Sequence, residues 1–447
     1  MISSLRGATT HEKICVEQNL LAVRIVCVAM LIAGVAAAAP LMAQGRVPLT
    51  LMEAEDRALE QEPGQAALRA RADALAEQSV AADQLPDPEL RVGIANFPIE
   101  SGGFTTEGMT QAQIAVRQAF PAGNSRTAST SQFQSLAAEM SQSAEARGRD
   151  VLTAVRKAWL EAYYWEQADS IVSEARPFFT DLLTVTRSLY AVGSKDQQDV
   201  LRAELELSRL DDRLISIRRQ GAGARAALSE WIGAESARPV AAKLPAWEQL
   251  PPLETLRAEL LNHPALRAAD ARIDAQRAGI DLAEENKKSG WALDLGYGYR
   301  DGFMTDGTPR SDFVSLSVTM DLPLFGENRQ DRQLSAALSE RRAADESKQQ
   351  LLRRLASQLD AEYARWQGLS SRIDLYERSI LGQTNAQANA ALAAYQSESG
   401  DFADVMHGFI DDLNTRLDYI RLQIDRTQSY AVLANLGGLP RGRKLSP

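Results

Sequence analysis

Residues 190–200 read YAVGSKDQQDV, and residues 395–405 read YQSESGDFADV. In both stretches eight residues separate a tyrosine from an Asp-Val pair, and the two tyrosines are 205 positions apart. Other features recur at nearly the same distance, among them Pro63 with Pro264. Two copies of one unit therefore span nearly the whole chain. Since there are only two copies, the repeat predicts a protomer with pseudo-twofold symmetry rather than a solenoid.

The N-terminal segment, residues 1–43, has the pattern of a secretory signal. Basic residues precede an apolar run over 25–39 that is too short to cross a bilayer as a helix, and small residues before Gln44 offer a cleavage site. Both cysteines, Cys15 and Cys27, lie in this segment. We therefore expect an exported mature chain without a thiol, which excludes disulfides, thiol catalysis and thiolate metal sites.

The overall charge is acidic. The chain carries 49 Lys and Arg against 59 Asp and Glu, a formal net charge of −10. Removal of the signal would take away three basic and two acidic residues and leave −11. Nucleic acid is therefore not expected as a partner, because phosphate binding requires clustered Lys and Arg. After residue 44 no apolar run reaches the roughly 18 to 20 residues of a spanning helix, so any membrane segment has to consist of strands.

Four segments alternate between apolar and small or polar residues, as strands do. They form two predicted hairpins, 89–119 and 291–321, whose loops are rich in Gly, Thr, Asp and Pro. An apolar, aromatic-bearing face opposite a polar face is typical of a transmembrane β-barrel, although a soluble sandwich strand alternates in the same way. Four strands cannot close a barrel, so the membrane interpretation requires oligomers, and three protomers would supply twelve strands. The residues predicted to face lipid are Trp291, Leu293, Leu295, Tyr297, Tyr299, Val314, Leu316 and Val318.

Two very long helical stretches give the stronger signal. The first runs from Asn124 to about Tyr190, and the second from Asn328 to about Tyr395. Each would be about 100 Å long at roughly 1.5 Å per residue, so neither can be buried in one globular core. Apolar and small residues recur at spacings of three and four, as in coiled coils. We therefore expect the helices to pack side by side, and Pro177 to bend or break the first of them.

The repeat also sets the predicted domain boundaries. Repeat 1 covers 44–233 and contains a helix, the hairpin 89–119, a long helix over 124–191 and a shorter helix over 196–233. A linker over 234–252 leads to repeat 2, which covers 253–438 and contains a helix, the hairpin 291–321, a long helix over 328–396 and a helix over 402–437. Residues 439–447 are predicted to be a flexible tail.

Short strings at these junctions resemble TolC-type outer-membrane efflux proteins. The string Leu189-Tyr190-Ala191-Val192-Gly193 followed by Asp199-Val200 resembles a periplasmic helix tip of that family. Asn262-x-Pro264 and Leu85-Pro86-Asp87-Pro88 resemble the family at the corresponding points of each repeat. The likeness covers residues 48–438. The string that begins at Leu85 is most similar to the branch that accompanies heavy-metal exporters.

The resemblance implies an α+β membrane protein of the Gram-negative outer membrane that extends into the periplasm. It implies a homotrimer in which twelve strands form a transmembrane β-barrel continued by a long α-helical barrel. The implied partners are a periplasmic adaptor (membrane fusion protein), an inner-membrane pump of the resistance-nodulation-division type and outer-membrane lipid. The protein would be the passive exit duct of a tripartite efflux system for heavy-metal cations, with drug efflux or type I protein secretion as alternatives. Outside the family, the alternative is a soluble periplasmic coiled-coil scaffold, which would leave the aromatic strand face in water.

The resemblance also implies sites at the helix tips. It places an acid at the closed aperture of the tunnel, where this chain has Asp404, followed by His407, with Asp199 at the matching position of repeat 1. The expected adaptor-docking residues are Tyr190, Val192, Gly193, Ser194, Ser399, Gly400 and Asp401. From the residues alone, these acids equally fit helix capping and the glycines equally fit simple turns. Because Tyr395 and Gly400 are two positions further apart than Tyr190 and Gly193, the second tip is expected to turn differently.

No catalytic residue, cofactor site or metal ligand is predicted. The mature histidines, His263 and His407, lie on different helical segments without His-Glu-x-x-His spacing, and neither a phosphate-binding loop nor a nucleophile elbow is present in the sequence. His263 is better explained as a helix-start residue before Pro264. We therefore expect a protein that is not an enzyme and takes its transport energy from an inner-membrane partner.

Overall fold

Helices and strands follow one another in the same order in both halves of the chain. The computed structural model describes residues 47–247, 249–397 and 399–439. The predicted signal, with Cys15 and Cys27, and most of the predicted tail lie outside these residues. Leu49 begins the compact unit that contains every element below.

The first half contains α1 Leu51–Gln61, α2 Pro63–Ala82, β1 Glu89–Ala95, β2 Gln111–Phe120, α3 Ser125–Ala191, α4 Gln197–Ile232 and a 3-10 turn Gly233–Ala237. The second half contains α5 Leu253–Leu260, α6 Pro264–Glu285, β3 Trp291–Tyr299, β4 Phe313–Met320, α7 Gln330–Leu375, a π-helical turn Tyr376–Ile380, α8 Leu381–Gln396 and α9 Phe402–Leu436.

The repeated prolines start equivalent helices. Pro63 and Pro264 each occupy the first turn of their helix, where the missing amide N–H costs nothing. The residue before each proline caps the helix. Glu62 accepts a hydrogen bond from the amide of Gln65, and Nδ1 of His263 accepts one from the amide of Ala265 at 3.2 Å. His263 is therefore a helix-start residue, as its position before a proline predicts.

One of the two long helical stretches is interrupted, but it is the second and not the first, which the sequence predicts to bend or break at Pro177. Helix α3 continues for 67 residues through Pro177 without a break. The residues around this proline, Val172, Phe179 and Leu182, are buried against neighbouring helices, and this packing holds the helix in register despite the lost hydrogen bond. The interruption lies instead in the second half, where the Leu381 amide donates to the Tyr376 carbonyl in a π-helical turn.

Helix α3 lies at the centre of the packing, in contact with α2, α4 and α6. One apolar cluster joins the distal halves of the two helical hairpins: Phe179 and Leu183 of α3, Leu210 and Leu214 of α4, and Phe402 and Met406 of α9 are all buried in it. The repeats are thus held together through a shared core along their helices rather than as separate domains.

A second cluster anchors the first helix. Leu49 pairs with Val240 in an isolated parallel bridge, and the Trp159 indole N–H donates to the Leu49 carbonyl at 3.1 Å. One turn into α1, the Glu55 carboxylate meets the Arg156 guanidinium at 2.6 Å, and both side chains are only 5% exposed. This buried ion pair ties α1 to the middle of α3.

The four strands form one antiparallel sheet in the order β1-β2-β3-β4. Pairing of β2 with β3 joins the two halves of the chain. Outside the sheet, none of the described helices is at once long and apolar enough to cross a bilayer.

Candidate functional site: helix tips and sheet faces

The first helix tip, between α3 and α4, is a Schellman motif. The Ser194 amide donates to the Leu189 carbonyl at 2.9 Å, and the Gly193 amide donates to the Tyr190 carbonyl at 3.0 Å. Gly193 has a φ of 74°, a left-handed conformation that favours glycine. Glycine is therefore required here by the backbone, while a Cβ atom at this position would have nothing within 4 Å.

The second tip, between α8 and α9, reverses at the same point of the repeat. The Ser399 amide donates to the Ala394 carbonyl at 2.9 Å, which reproduces the bond of Ser194 to Leu189 after 205 residues. The expectation of a different turn is therefore wrong for this bond. Gly400 is not the counterpart of Gly193. A Cβ on Gly400 would lie 2.9 Å from Cβ of Ala394, so this glycine permits close packing instead of a left-handed turn.

The repeated tyrosines have different environments. Tyr190 is 46% exposed and Val192 beside it is 77% exposed. Tyr395 is 3% exposed, packs edge-on against Phe402 and has the Lys195 ammonium 4.5 Å from its ring centroid. The first tip thus offers an apolar surface, whereas the tyrosine of the second joins the two tips. The contact of Lys195 with Tyr395 is not predicted from the sequence. In the alignment of the two repeats, Lys195 occupies the same position as Gly400.

The acids at the tips occupy equivalent helix starts. Asp196 and Asp401 are the N-terminal caps of α4 and α9, and Asp199 and Asp404 each lie in the first turn. Partial burial raises the pKa of Asp199, and the carboxylates of Asp196 and Asp401 raise it further. The two tips are therefore close enough for their charges to interact.

Asp404 and His407 share one exposed face of α9. They are three residues apart, which places them on the same side of a helix, while Val405 and Met406 between them are buried. Both side chains therefore point away from the core of their own protomer. The described residues contain no cluster of His, Cys, Asp and Glu that could hold a metal ion.

The register of the sheet brings the apolar residues of all four strands onto one face. Leu295 is paired with Val116 on one side and Leu316 on the other, and Tyr297 with Ile114 and Val314. Beyond them, Leu90 is paired with Val116 in β1. Of the eight predicted lipid-facing residues, Leu293 is half-buried in the protomer and the others are exposed: Trp291, Leu295, Tyr297, Tyr299, Val314, Leu316 and Val318.

The outer loops of the two hairpins are bound to each other. Arg310 donates to the Glu107 carbonyl at 3.0 Å, and Arg300 donates to the Gly108 carbonyl at 3.0 Å. Arg300 also lies over the Phe313 ring, 3.7 Å from its centroid. The loops therefore form one structural unit, which the sequence does not predict because the bonds join residues of different repeats.

Known proteins share this sequence pattern. Residues 255–439 match the family described as Outer membrane efflux protein. Protein CyaE of Bordetella pertussis is 28% identical over 416 residues, which cover 88% of this chain and 85% of CyaE.

Solved structures share the fold over most of the chain. A crystal structure of CusC has a TM-score of 0.75 at 15% identity and covers 88% of this chain and 93% of its own. VceC of Vibrio cholerae has a TM-score of 0.71 at 18% identity, and the match covers 87% of this chain and 96% of VceC. The open state of the MtrE outer membrane channel of Neisseria gonorrhoeae has a TM-score of 0.68 at 17% identity, and the match covers 88% of this chain and 90% of MtrE.

The four-stranded sheet with two long helical hairpins is thus the protomer fold of outer-membrane channels. Together with the family match over residues 255–439, this fold confirms the predicted resemblance of the chain to TolC-like outer-membrane efflux proteins and agrees with the predicted outer-membrane location.

Proposed function

We propose that the protein is the outer-membrane exit duct of a tripartite efflux system and that three copies form the channel. The observation that carries this proposal is the sheet. Within the described residues its outer strands, β1 and β4, each pair on one side only, and one of its faces is apolar across all four strands. Backbone groups in lipid must be hydrogen-bonded, so both edges require strands from other protomers. The soluble scaffold alternative would leave the apolar face in water.

The helices continue the polar interior of such a barrel into the periplasm. In this arrangement the tips lie at the far end, where an adaptor would dock on Tyr190, Val192, Gly193 and Ser194 and on Ser399, Gly400 and Asp401. Asp404, His407 and Asp199 would then face the narrow aperture. The carboxylates of Asp404 and Asp199 would favour cations over anions. The pump and the adaptor, not this chain, would supply the energy, and we propose no catalytic activity.

Heavy-metal cations are the cargo that we propose, and the Leu85-Pro86-Asp87-Pro88 string and the acidic aperture candidates support it. A duct needs no metal ligands of its own to carry metal ions. Drug efflux and type I protein secretion are served by the same fold and are the alternatives. Metal sensitivity of a deletion strain distinguishes them: restored growth on zinc or copper salts by the cloned gene supports metal export, and restored drug resistance alone contradicts it.

The duct is tested by assembly and conductance. We expect the purified mature protein to run as a trimer in detergent and to form channels in planar bilayers, and Asp404→Ala to reduce cation selectivity and block by divalent ions. Asp212→Ala, at an exposed acid of α4 remote from both tips, is the control. A monomeric, non-conducting protein contradicts the duct, and unchanged selectivity of Asp404→Ala contradicts the role of this acid.

Docking at the tips is tested separately by crosslinking. Cysteines placed at Val192 and Ser399 meet no competing thiol if the segment with Cys15 and Cys27 is removed. We expect both positions to crosslink to the adaptor in whole cells. A cysteine at Ser208, an exposed position of α4 remote from the tip, is the control.

A further inference from the structure

A cavity of about 670 Å³ opens where the polar face of the sheet meets the ends of α6 and α7. Its wall contains the small residues Ala119, Gly290 and Ala292. A Cβ on Gly290 would lie 3.4 Å from the Phe120 carbonyl oxygen and 3.5 Å from a carboxylate oxygen of Asp321. These are ordinary contact distances, and the short side chains of this wall leave the cavity unfilled.

The charge lining this cavity is opposite to that of the whole chain. Arg117, Lys288 and Arg329 contribute three cations, and Asp321 contributes one carboxylate. The chain as a whole has a formal charge of −10. A local excess of positive charge in an acidic protein attracts an anion to this place.

The two arginines are free to bind a ligand. Among the described residues, neither Arg117 nor Arg329 has a carboxylate within the 4.0 Å of an ion pair, whereas Lys288 is held by Glu285 at 2.6 Å. The register places Arg117 between Glu89 and Asp294 on the neighbouring strands. Neither Glu89 nor Asp294 lines the cavity, whereas Arg117 does.

We propose that this cavity binds a phosphate group. Its oxygens accept hydrogen bonds from the guanidinium groups of Arg117 and Arg329, which match tetrahedral oxyanions in geometry and charge. Access from the polar face of the sheet rests on the proposed duct, because only there does this face line the channel. The group is either free inorganic phosphate or the terminal phosphate of an exported molecule, each of which presents more free oxygens to the two arginines than a phospholipid diester does.

The test is calorimetric titration of the purified protein in detergent with inorganic phosphate at constant ionic strength. We expect saturable binding that Arg117→Gln/Arg329→Gln weakens at least tenfold. Arg91→Gln/Arg332→Gln is the matched control, since both arginines are exposed and neither lines the cavity. Arg117→Lys/Arg329→Lys keeps the charges and should retain part of the affinity.

Equal phosphate binding by wild type and Arg117→Gln/Arg329→Gln overturns the proposal, and so does binding only to phosphatidylglycerol vesicles. Phenyl phosphate separates the two sources: binding tighter than that of inorganic phosphate indicates a terminal phosphate of cargo, and weaker binding indicates the free ion. Trimer formation and conductance are measured on the same samples. A conducting trimer without phosphate binding refutes the cavity alone, whereas phosphate binding by a non-conducting monomer refutes the duct and leaves the cavity.

Discussion

Residues that occupy equivalent places in the two repeats have acquired different tasks. Tyr190 is exposed at its tip, and Tyr395 is buried between the tips. The glycines at the tips are not equivalent in the repeat: Gly193 is needed for a left-handed backbone, whereas Gly400, which aligns with Lys195, is needed for contact with Ala394. The repeated sequence predicts where the chain reverses, because the hydrogen bonds of the turn are local. It does not predict which tyrosine is buried, since that depends on the contact between repeats.

His263, which caps α6, makes the free energy of unfolding depend on pH. Burial lowers the pKa of His263, the positive charge of Arg149 lowers it further, and the bond to Asn435 and the carboxylate of Asp150 oppose this. Protonation would also replace the acceptor at Nδ1 that holds the Ala265 amide. Because the unfolded chain takes up the proton first, this contribution is complete above a pH of about 6.5 and is lost as the pH falls below it.

We therefore expect His263→Asn, which keeps a capping side chain, to flatten the loss of stability between pH 7.5 and pH 5. The measurement is the urea midpoint at each pH. His407→Asn is the matched control, because His407 is exposed on α9. If the urea midpoints of wild type and His263→Asn fall in parallel with pH, His263 does not contribute to the pH dependence of stability.

At the scale of elements, the sequence is informative wherever a pattern is long. Strand β3 starts at Trp291 and α3 ends at Ala191, as predicted, and the remaining bounds of strands and long helices lie within two residues of expectation. Hydrophobic alternation in the strands and a scarcity of glycine and proline in the long helices are sustained signals. The π-helical turn and the passage of α3 through Pro177 are not predicted, because both depend on packing against other helices.

The π-helical turn is held by a side chain of α9. The Tyr419 hydroxyl donates to the Glu377 carboxylate at 2.7 Å, and the Gln423 amide donates to the same hydroxyl at 2.7 Å. Burial, with the negative charge of Glu377, raises the pKa of Tyr419 to about 12. We expect Tyr419→Phe to increase amide hydrogen exchange in Tyr376–Ile380 several-fold, since the turn loses its tie to α9. Tyr363→Phe in α7 is the control, and an unchanged exchange rate in the turn would refute the role of Tyr419.

The ion pair between α1 and α3 predicts a large effect of one substitution. Removal of Arg156 leaves the Glu55 carboxylate buried without a counterion, so Arg156→Ala should lower the free energy of unfolding by about 3 to 5 kcal/mol. Glu55→Gln/Arg156→Met removes both charges and should recover most of that loss. Arg57→Ala, at a surface pair, should cost less than about 1 kcal/mol. Urea unfolding measures all three, and a small effect of Arg156→Ala would contradict the burial of the pair.

At the scale of the whole molecule, a charge should have opposite effects on the two faces of the sheet, even at neighbouring residues of one strand. Leu316 lies on the apolar face and Ser315 on the polar face of β4. An arginine facing lipid near the bilayer midplane costs about 2 to 4 kcal/mol, whereas one in an aqueous interior costs little. Leu316→Arg should therefore reduce the amount of trimer in the outer membrane, and Ser315→Arg should not. Fractionation and trimer resistance to mild detergent measure this, and the reverse order would show that the faces are assigned wrongly.

The unpaired edges of β1 and β4 have a thermodynamic consequence. An isolated chain has to leave these amide and carbonyl groups to water, and only association with further copies replaces water by strand pairing. In the proposed trimer, completion of the sheet in a membrane is therefore coupled to association, so that its melting temperature should rise with total protein concentration by mass action. Dilution alone should separate the strands of different protomers while the helical hairpins stay intact.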